Sequence, residues 1–421
     1  MENCNEMFDV IVVGAGIMGS CTAYQTAKHG KKTLLLEQFD FLHHRGSSHG
    51  ESRTIRATYP EEYYPKMVLE SAKLWEEAEA EVGYKVYFKT SQFDMGPSNK
   101  KALQATISSC QKNKIPIRVL DHNQVHKELL GKFRLTEDWI GVVNEYGGVI
   151  KPTKAVSMFQ TLAIKNGARL MDNMEVVDIL KEDDGNHNED DDAVAVLVCT
   201  RNGQRFWGKK CVVTVGAWMK KLVKKVTSAG GGGGLITLPI QPLETTVYYW
   251  KIKPGHEDEF KIESGFPTFA SYGEPYIYGT PSLEFPGMIK IAVHGGRPCE
   301  PDERTWAASA VALSALREWI QSKFGDLVES SGPVLTQSCM YSMTPDEDFV
   351  IDFLGGEFGK DVLVAGGFSG HGFKMAPIIG RILADLAIDN QAKNVELKHF
   401  SIKRFEGNSK GNAKDFDDQV N

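Results

Sequence analysis

The chain has 421 residues, 42% of them apolar, and a formal net charge of −7. That length asks for two or three folding units, and the acidic balance argues against a nucleic-acid partner, which would want a basic face. No run of 18 apolar residues occurs, so a membrane-spanning helix is not expected, and seven scattered cysteines without a CxxC pair suit a reducing compartment better than a disulfide framework. MENCNEMFDV lacks the basic start and apolar centre of a secretory signal, and Gln419-Val420-Asn421 is not an SKL-type peroxisomal address. The expectation is an intracellular soluble protein.

In chain order, Phe8 to Val13 is a short β-branched run that reads as a buried strand. Glycines follow, then a helix from Ile17 to about His29 and a strand from Thr33 to Leu36, which makes a βαβ unit of mononucleotide-binding size. Pro65 to Val82 predicts a helix. Gly147 to Pro152 reads as a break, with a further helix running to about Asn166. Val176 to Leu180 and Ala193 to Thr200 predict strands, and the charged stretch Lys181 to Asp192 between them predicts a solvated hairpin loop. Cys211 to Val215 predicts a strand that ends in Gly216-Ala217-Trp218. The run Gly230 to Gly234 reads as a flexible loop, since no Lys-Ser/Thr follows to make it a phosphate loop. Residues 243–294 alternate apolar and polar side chains and predict antiparallel strands of a second domain. Val311 to Lys323 predicts a helix, Asp361 to Gly366 a strand, and Ala376 to Asp389 an amphipathic helix with Ile378, Ile379, Ile382, Leu383 and Leu386 on one side.

Gly14-Ala15-Gly16-Ile17-Met18-Gly19 matches the GxGxxG fingerprint. The string alone is weak. Here a strand precedes it, a helix follows, and Glu37 lies 23 positions after Gly14. The first glycine makes the turn, the second lets the backbone approach a pyrophosphate, and the third lets helix pack on strand. The helix N-terminus offers N–H groups and partial positive charge to phosphates. Glu37 suits a ribose 2′-hydroxyl and would reject a 2′-phosphate. FAD and NAD share this fingerprint; the early start and the late strand ending in Val215-Gly216-Ala217-Trp218 lean towards FAD.

Three further strings converge on one family: Gly50-Glu51-Ser52-Arg53-Thr54-Ile55-Arg56, Gln337-Ser338-Cys339-Met340-Tyr341-Ser342-Met343-Thr344-Pro345-Asp346, and Gly366-Gly367-Phe368-Ser369-Gly370-His371-Gly372-Phe373-Lys374. Together they resemble the monomeric sarcosine oxidase family, with its peroxisomal sarcosine/pipecolate oxidases and N-methyl-tryptophan oxidase, over about residues 7–400. The resemblance implies an α/β fold, α+β overall: a glutathione-reductase-like Rossmann FAD domain (1–85, 150–225 and 326–400) interleaved with a substrate domain built on an antiparallel sheet (86–149 and 226–325), and a tail from 401 to 421. It implies FAD joined through its 8α position to Cys339. It implies Arg56 and Lys374 as ligands of a substrate carboxylate, with Tyr278, aligned by a one-residue insertion, as a pocket tyrosine. Arg53 and Tyr341 would lie beside the flavin. Lys290 would help dioxygen accept electrons, with His294 four places on. The expected cofactor contacts are Gly14, Ala15, Gly16, Ile17, Met18, Gly19, Glu37 and Gln38, then Arg45, Ser47 and Ser48 at the phosphate and ribose, with Val176, Gly216, Trp218, Cys339, Met340, Gly370, His371, Gly372 and Lys374. His371 reads equally as a flavin contact or as loop support, and His294 equally as a cavity residue or a bonded structural one. His43, His44 and His49 cluster in sequence without ligand spacing that would support a metal.

Chemistry supports these expectations independently. A carboxylate beside a flavin needs compensating charge, because a lone buried ion is costly, and an arginine can clamp it bidentately. The helix starting near Ala376 points its positive end at the glycine-rich segment and would stabilise charge developing there. Lys290 and His294 lie on one strand face about 13 Å apart, so they can line one cavity but not grip one atom. The implied activity is oxidation of a small amino acid with a secondary amine to an imine, with dioxygen reduced to hydrogen peroxide, in a monomer without nucleic-acid or membrane partners, in the peroxisome or the cytoplasm. Two rivals stand beside it: a flavin dehydrogenase of the same fold, using another acceptor or a specialised-metabolite amine, and a non-catalytic FAD-binding protein.

Overall fold

The computed structural model describes residues 6–183, 194–229, 236–283, 285–414 and 416. The tip of the expected hairpin loop, the five-glycine run and Gln419–Asn421 lie outside them.

The first sheet has eight strands. Its path runs Val350–Phe353, Val362–Gly366, Arg205–Val213, Met7–Val13, Thr33–Leu36 and Arg169–Met171, parallel except at the Val350–Phe353 edge, and the hairpin of Val176–Asp183 with Val194–Thr200 adds to Arg205–Val213. The alternation along these strands decides which face each residue covers. Val10, Val12, Leu35, Val212 and Leu363 pack under the helices Ile17–Lys28, Tyr64–Val82, Pro152–Lys165 and Ala376–Asp389. Ile11, Val13, Leu34, Leu36, Cys211, Val213 and Val364 face the opposite way, onto the hairpin and the helix Met219–Ala229. Both faces being covered explains why the strands read as continuous apolar runs.

The second sheet has ten strands and is antiparallel except where Thr268–Ser271 runs parallel to Tyr87–Pro97. Its central strands include Trp139–Ile150 and, as the alternation in 243–294 predicts, Gln241–Lys251, Ile277–Thr280 and Met288–Val293. An aromatic core of Phe93, Phe133, Phe266, Phe269 and Phe324 backs it. Arg53–Arg56 and Leu335–Met343 also join this sheet. Both strands therefore carry residues from segments that border the first sheet directly into the second, so a site between the sheets is built from both.

One reading is corrected. Gly147 and Gly148 are not a break: the strand Trp139–Ile150 runs straight through them, and the helix starts at Pro152. Gly147 is paired with both Arg56 and Thr90. A Cβ there would lie 2.7 Å from the Gln92 nitrogen, so glycine marks a crowded crossing of three strands rather than a turn. No helix among the described residues is long and apolar enough to cross a membrane.

Candidate active site

A cavity of about 240 Å³ follows the C-terminal edge of the first sheet and ends against the second. Its first end is the glycine turn. Gly14 has φ of +97°, and a Cβ on it would lie 2.8 Å from the Thr214 carbonyl oxygen. A Cβ on Gly19 would collide with the Gly14 carbonyl and lie 2.6 Å from Thr214 Oγ1. Thr214 in turn donates to the Val13 and Gly14 carbonyls at 3.0 Å, which fixes the turn against the neighbouring strand. The buried Glu37 accepts from the Ala15 N–H at 2.8 Å and the Phe39 N–H at 3.1 Å. Ser48 Oγ accepts from the Ile17 N–H at 3.0 Å. An acid on the second strand and glycines that admit close backbone approach are the donor set a dinucleotide needs.

The second end is built around Cys339, on Leu335–Met343, and Arg53, on the short strand Arg53–Arg56. The Arg53 guanidinium donates to the carbonyls of Ser47 at 3.0 Å, His49 at 2.8 Å and Ser52 at 2.8 Å, and to Cys339 Sγ at 3.4 Å. One side chain thus ties the 47–52 loop to the cysteine strand and places a cation beside the thiol. His49 lines the same wall. Burial, then the charges of Arg53, His44 and Arg304, push its pKa down to about 3, so the ring is neutral. Both of its nitrogens are buried without a hydrogen-bond partner among the described residues. Buried polar atoms are nearly always paired, so these point to a ligand with its own polar groups. On these observations the residues fit FAD, held from Glu37 and the glycine turn to Cys339.

Tyr341 and Gly370 separate the cavity from a second layer of polar groups. Gly370 has φ of +77°, and a Cβ on it would lie 2.8 Å from the Tyr341 ring and 3.0 Å from His294. Tyr341 donates to Tyr278 Oη at 3.4 Å, and its ring lies 5.3 Å from that of His294. Burial, then Arg56 and Lys374, hold the His294 pKa at about 4, so it too is neutral. Lys290 is buried on Met288–Val293 and donates to the Ser52 carbonyl at 2.9 Å, with its ammonium 5.7 Å from the Tyr278 ring centroid.

Behind Tyr341 and His294 lie two cations. Arg56 donates to the Thr58 carbonyl and to Tyr276 Oη at 3.4 Å, and stacks on Tyr59 at 4.6 Å. Burial opposes its charge, yet Tyr276, Tyr272 and Asp94 around it raise its pKa. Lys374 donates to Tyr59 Oη at 3.0 Å and to the His371 carbonyl at 3.1 Å, both neutral. Burial, then the charge of Arg56, hold its ammonium well below the ordinary lysine range. The Lys374 backbone is locked in turn: its carbonyl accepts from Ser71 Oγ at 2.8 Å and Trp75 Nε1 at 3.0 Å. His371 is held at both nitrogens, by Tyr59 Oη at 3.2 Å and the Glu347 carbonyl at 2.9 Å. Two like charges kept this close in a buried layer lower one another's stability, and an anion between them would relieve both.

Of the residues expected from sequence, Gly14, Ala15, Gly16, Ile17, Met18, Glu37, Gln38, Ser47, Ser48, Arg53, Val176, Gly216, Trp218, Cys339, Met340, Tyr341, Gly370 and Gly372 line the cavity. Gly19 sits beneath it, packed on Thr214. Arg45 is exposed and stacks on Phe39 at 4.7 Å instead. Arg56, Lys374, His294, His371, Lys290 and Tyr278 form the layer beyond. His43 lies against Glu37 at 3.4 Å. Tyr59, Tyr276, Thr214 and His49 escaped the sequence reading of the site. Tyr59 alone had a local signal, three places after Arg56.

The model of a family described as FAD dependent oxidoreductase (DAO) matches residues 9–386. The chain is 62% identical to a probable sarcosine oxidase of Arabidopsis thaliana, over 98% of this chain and 96% of that one. It is 32% identical to the peroxisomal sarcosine oxidase of Homo sapiens, over 95% of this chain and 97% of that one. Among solved structures, L-proline dehydrogenase from P. horikoshii superimposes with a TM-score of 0.77 at 22% identity, covering 96% of this chain and 98% of that one; the likeness is one of fold. The family match takes in the glycine turn, Cys339 and Lys374 alike, and the chain belongs to the DAO family of FAD-dependent oxidoreductases.

Proposed function

We propose that the protein is an FAD-dependent oxidase of small amino acids bearing a secondary amine, such as sarcosine, L-pipecolate or related N-methyl and cyclic amino acids. It oxidises the C–N bond to an imine and reduces dioxygen to hydrogen peroxide. The observation that carries this reading is the pair of partly buried Arg56 and buried Lys374, two cations one layer beyond the cavity, of which Lys374 has only neutral hydrogen-bond partners among those described. The names of the relatives at 62% and 32% identity support the substrate class.

Bound FAD supplies the electron acceptor. The chain's own work is positioning. Arg56 and Lys374 hold the carboxylate, and Tyr59 and Tyr276 orient the two cations. The walls of Tyr341, Tyr278 and neutral His294 place the amine without protonating it. No strong base is required, because the free amine is the reacting form. Lys290, held by Ser52, offers positive charge on the side where dioxygen would accept electrons. We assign residues 1–85, 150–225 and 326–400 to an FAD-binding domain, which also lends Arg56 and Lys374 to the carboxylate, and 86–149 and 226–325 to a substrate domain, in a monomer of the peroxisome or the cytoplasm.

A peroxide-release screen over N-methylated and cyclic amino acids tests the activity. Turnover with peroxide supports the reading. Dye reduction without oxygen uptake would make the protein a dehydrogenase, and bound flavin without any turnover would make it a binding protein.

We assign the covalent flavin bond to Cys339, on the strength of its place beside Arg53 at the cavity wall. Acid precipitation of the wild type then leaves the yellow colour in the pellet, and Cys339→Ala releases it to the supernatant. Colour that washes out of the wild type would refute the bond.

A further inference from the structure

The C-terminal arm closes over the back of the carboxylate site, where three acids are buried. Asp346 and Asp348 sit in the turn after Leu335–Met343, and Glu61 precedes the helix Tyr64–Val82. Arg404 pairs with Asp346 at 2.7 Å, both side chains buried. Lys414 Nζ lies 2.7 Å from Glu61 and 3.5 Å from Asp348, and is itself only 4% exposed. Asn412 donates to Asp348 at 2.8 Å, and Tyr63 and Tyr64 donate to the same carboxylate at 2.7 and 2.8 Å. Further along, Phe416 packs on the cluster of Ala102, Leu103 and Tyr272, against which Tyr276 also packs. The arm thus reaches behind both cations: the Asp346–Asp348 turn on the Lys374 side, and the tyrosines on the Arg56 side.

Two layers of rings stand between these acids and Lys374: Tyr64 on the acid side, Tyr59 and His371 on the lysine side. Tyr64 lies 4.9 Å from Tyr59 and 5.2 Å from His371, centroid to centroid. Tyr59 and His371 are the two groups that touch or frame the Lys374 ammonium. The Glu347 carbonyl that fixes His371 belongs to the same turn the arm pins. Charge crosses these layers: that of Glu61 is felt at Tyr59, and that of Lys414 at His371. Arg404 and Lys414 leave the three acids with one net negative charge; without Lys414 there would be two, facing the carboxylate site across these rings.

We propose that Lys414 is a positioning residue of the carboxylate site: it neutralises Glu61 and Asp348, so that Arg56 and Lys374 stay available to an anionic ligand while the Asp346–Asp348 turn holds His371. This rests on the reading of Arg56 and Lys374 as the carboxylate ligands.

The test is ligand binding to the holoenzyme at pH 7, followed by perturbation of flavin absorbance, with acetate as the anionic probe and acetamide as its neutral counterpart. Lys414→Met weakens acetate about tenfold, the scale expected for one uncompensated charge about 12 Å away in a medium of effective dielectric about 20, and leaves acetamide unchanged. Lys414→Arg retains acetate affinity. Glu61→Gln tightens acetate about threefold, and Lys414→Met with Glu61→Gln cuts the tenfold loss to about threefold. Equal loss for both probes in Lys414→Met, or no loss in either, overturns the proposal. Should Lys414→Met not fold, the Glu61→Gln result decides: acetate affinity that stays at or falls below the wild-type value overturns it. Arg56→Met is the control for the underlying reading. If Arg56→Met leaves acetate binding intact, the carboxylate assignment fails; if it abolishes binding and the Lys414 and Glu61 variants change nothing, the role of the arm fails alone.

Discussion

Replacing Lys374 by methionine lowers kcat/KM for an N-methyl amino acid by roughly a hundredfold to a thousandfold, about 3–4 kcal/mol, and Arg56→Met does the same. The magnitude follows from burial. A carboxylate taken from water into this layer relies on these two cations to replace its hydration, and stripping one partner from a buried charge pair costs several kcal/mol because the survivor is left unpaired. The loss falls mainly on KM for the natural amino acid and vanishes for the corresponding neutral amide.

The pH dependence separates the two residues. Burial and Arg56 hold the Lys374 pKa well below the lysine range, so anion affinity is full below that lowered pKa and falls as pH rises through it. The substrate amine works in the opposite direction, since its reactive neutral form grows with pH. The profile of kcat/KM is therefore bell-shaped, with Lys374 on the alkaline limb. Lys374→Arg keeps a charge at every accessible pH and removes that limb. Bound carboxylate raises the Lys374 pKa, so the limb is displaced upward in the profile of kcat. An alkaline limb that survives in Lys374→Arg would assign it to another group.

What the sequence made legible divides along a physical line. The glycine turn is a local structure: strand, turn, helix and Glu37 all lie within one βαβ unit, so hydrophobic period and glycine spacing suffice to place it. The strand Met288–Val293 also has a period that puts Lys290 and His294 on one face. Contacts made across the fold left no such trace. Lys374 meets Tyr59 across 315 residues, Arg56 meets Tyr276 across 220, and Lys290 meets Ser52 across 238. No spacing rule reaches that far. Gly147-Gly148 misleads for a related reason: glycine marks a turn and a crowded strand crossing with the same letter, and only the pairing with Arg56 and Thr90 tells them apart. The tail from 401 onward reads as featureless because Arg404, Asn412 and Lys414 are polar, and polar residues signal solvent unless their buried partners are known.

The glycine turn yields a graded series in which geometry, not composition, sets the order. Gly16→Ala spares the fold but not the cofactor: the added Cβ meets Ser48 Oγ at 3.0 Å, the acceptor of the Ile17 N–H, and stands where the backbone must approach the pyrophosphate. Gly14→Ala is severe, since φ of +97° strains any L residue and the Cβ meets the Thr214 backbone at 2.8 Å. Gly19→Ala is equally severe for a different reason. Its backbone is ordinary helix, but the Cβ is driven into the Gly14 carbonyl and Thr214 Oγ1, and neither can yield, because Thr214 is bonded to that same carbonyl and to Val13. The helix Ile17–Lys28 must then lift off its strand, at a cost of about 1–3 kcal/mol of overpacking. Its first turn moves away from the phosphates it would hold. The flavin-to-protein ratio of the purified variants reads the outcome directly: reduced for Gly16→Ala with Tm near wild type, and close to zero for Gly14→Ala and Gly19→Ala, with a lowered Tm in the last two. Full flavin in Gly19→Ala would mean that the cofactor does not depend on this helix end. The cavity's affinity would then have to come from the Arg53, His49 and Cys339 wall alone.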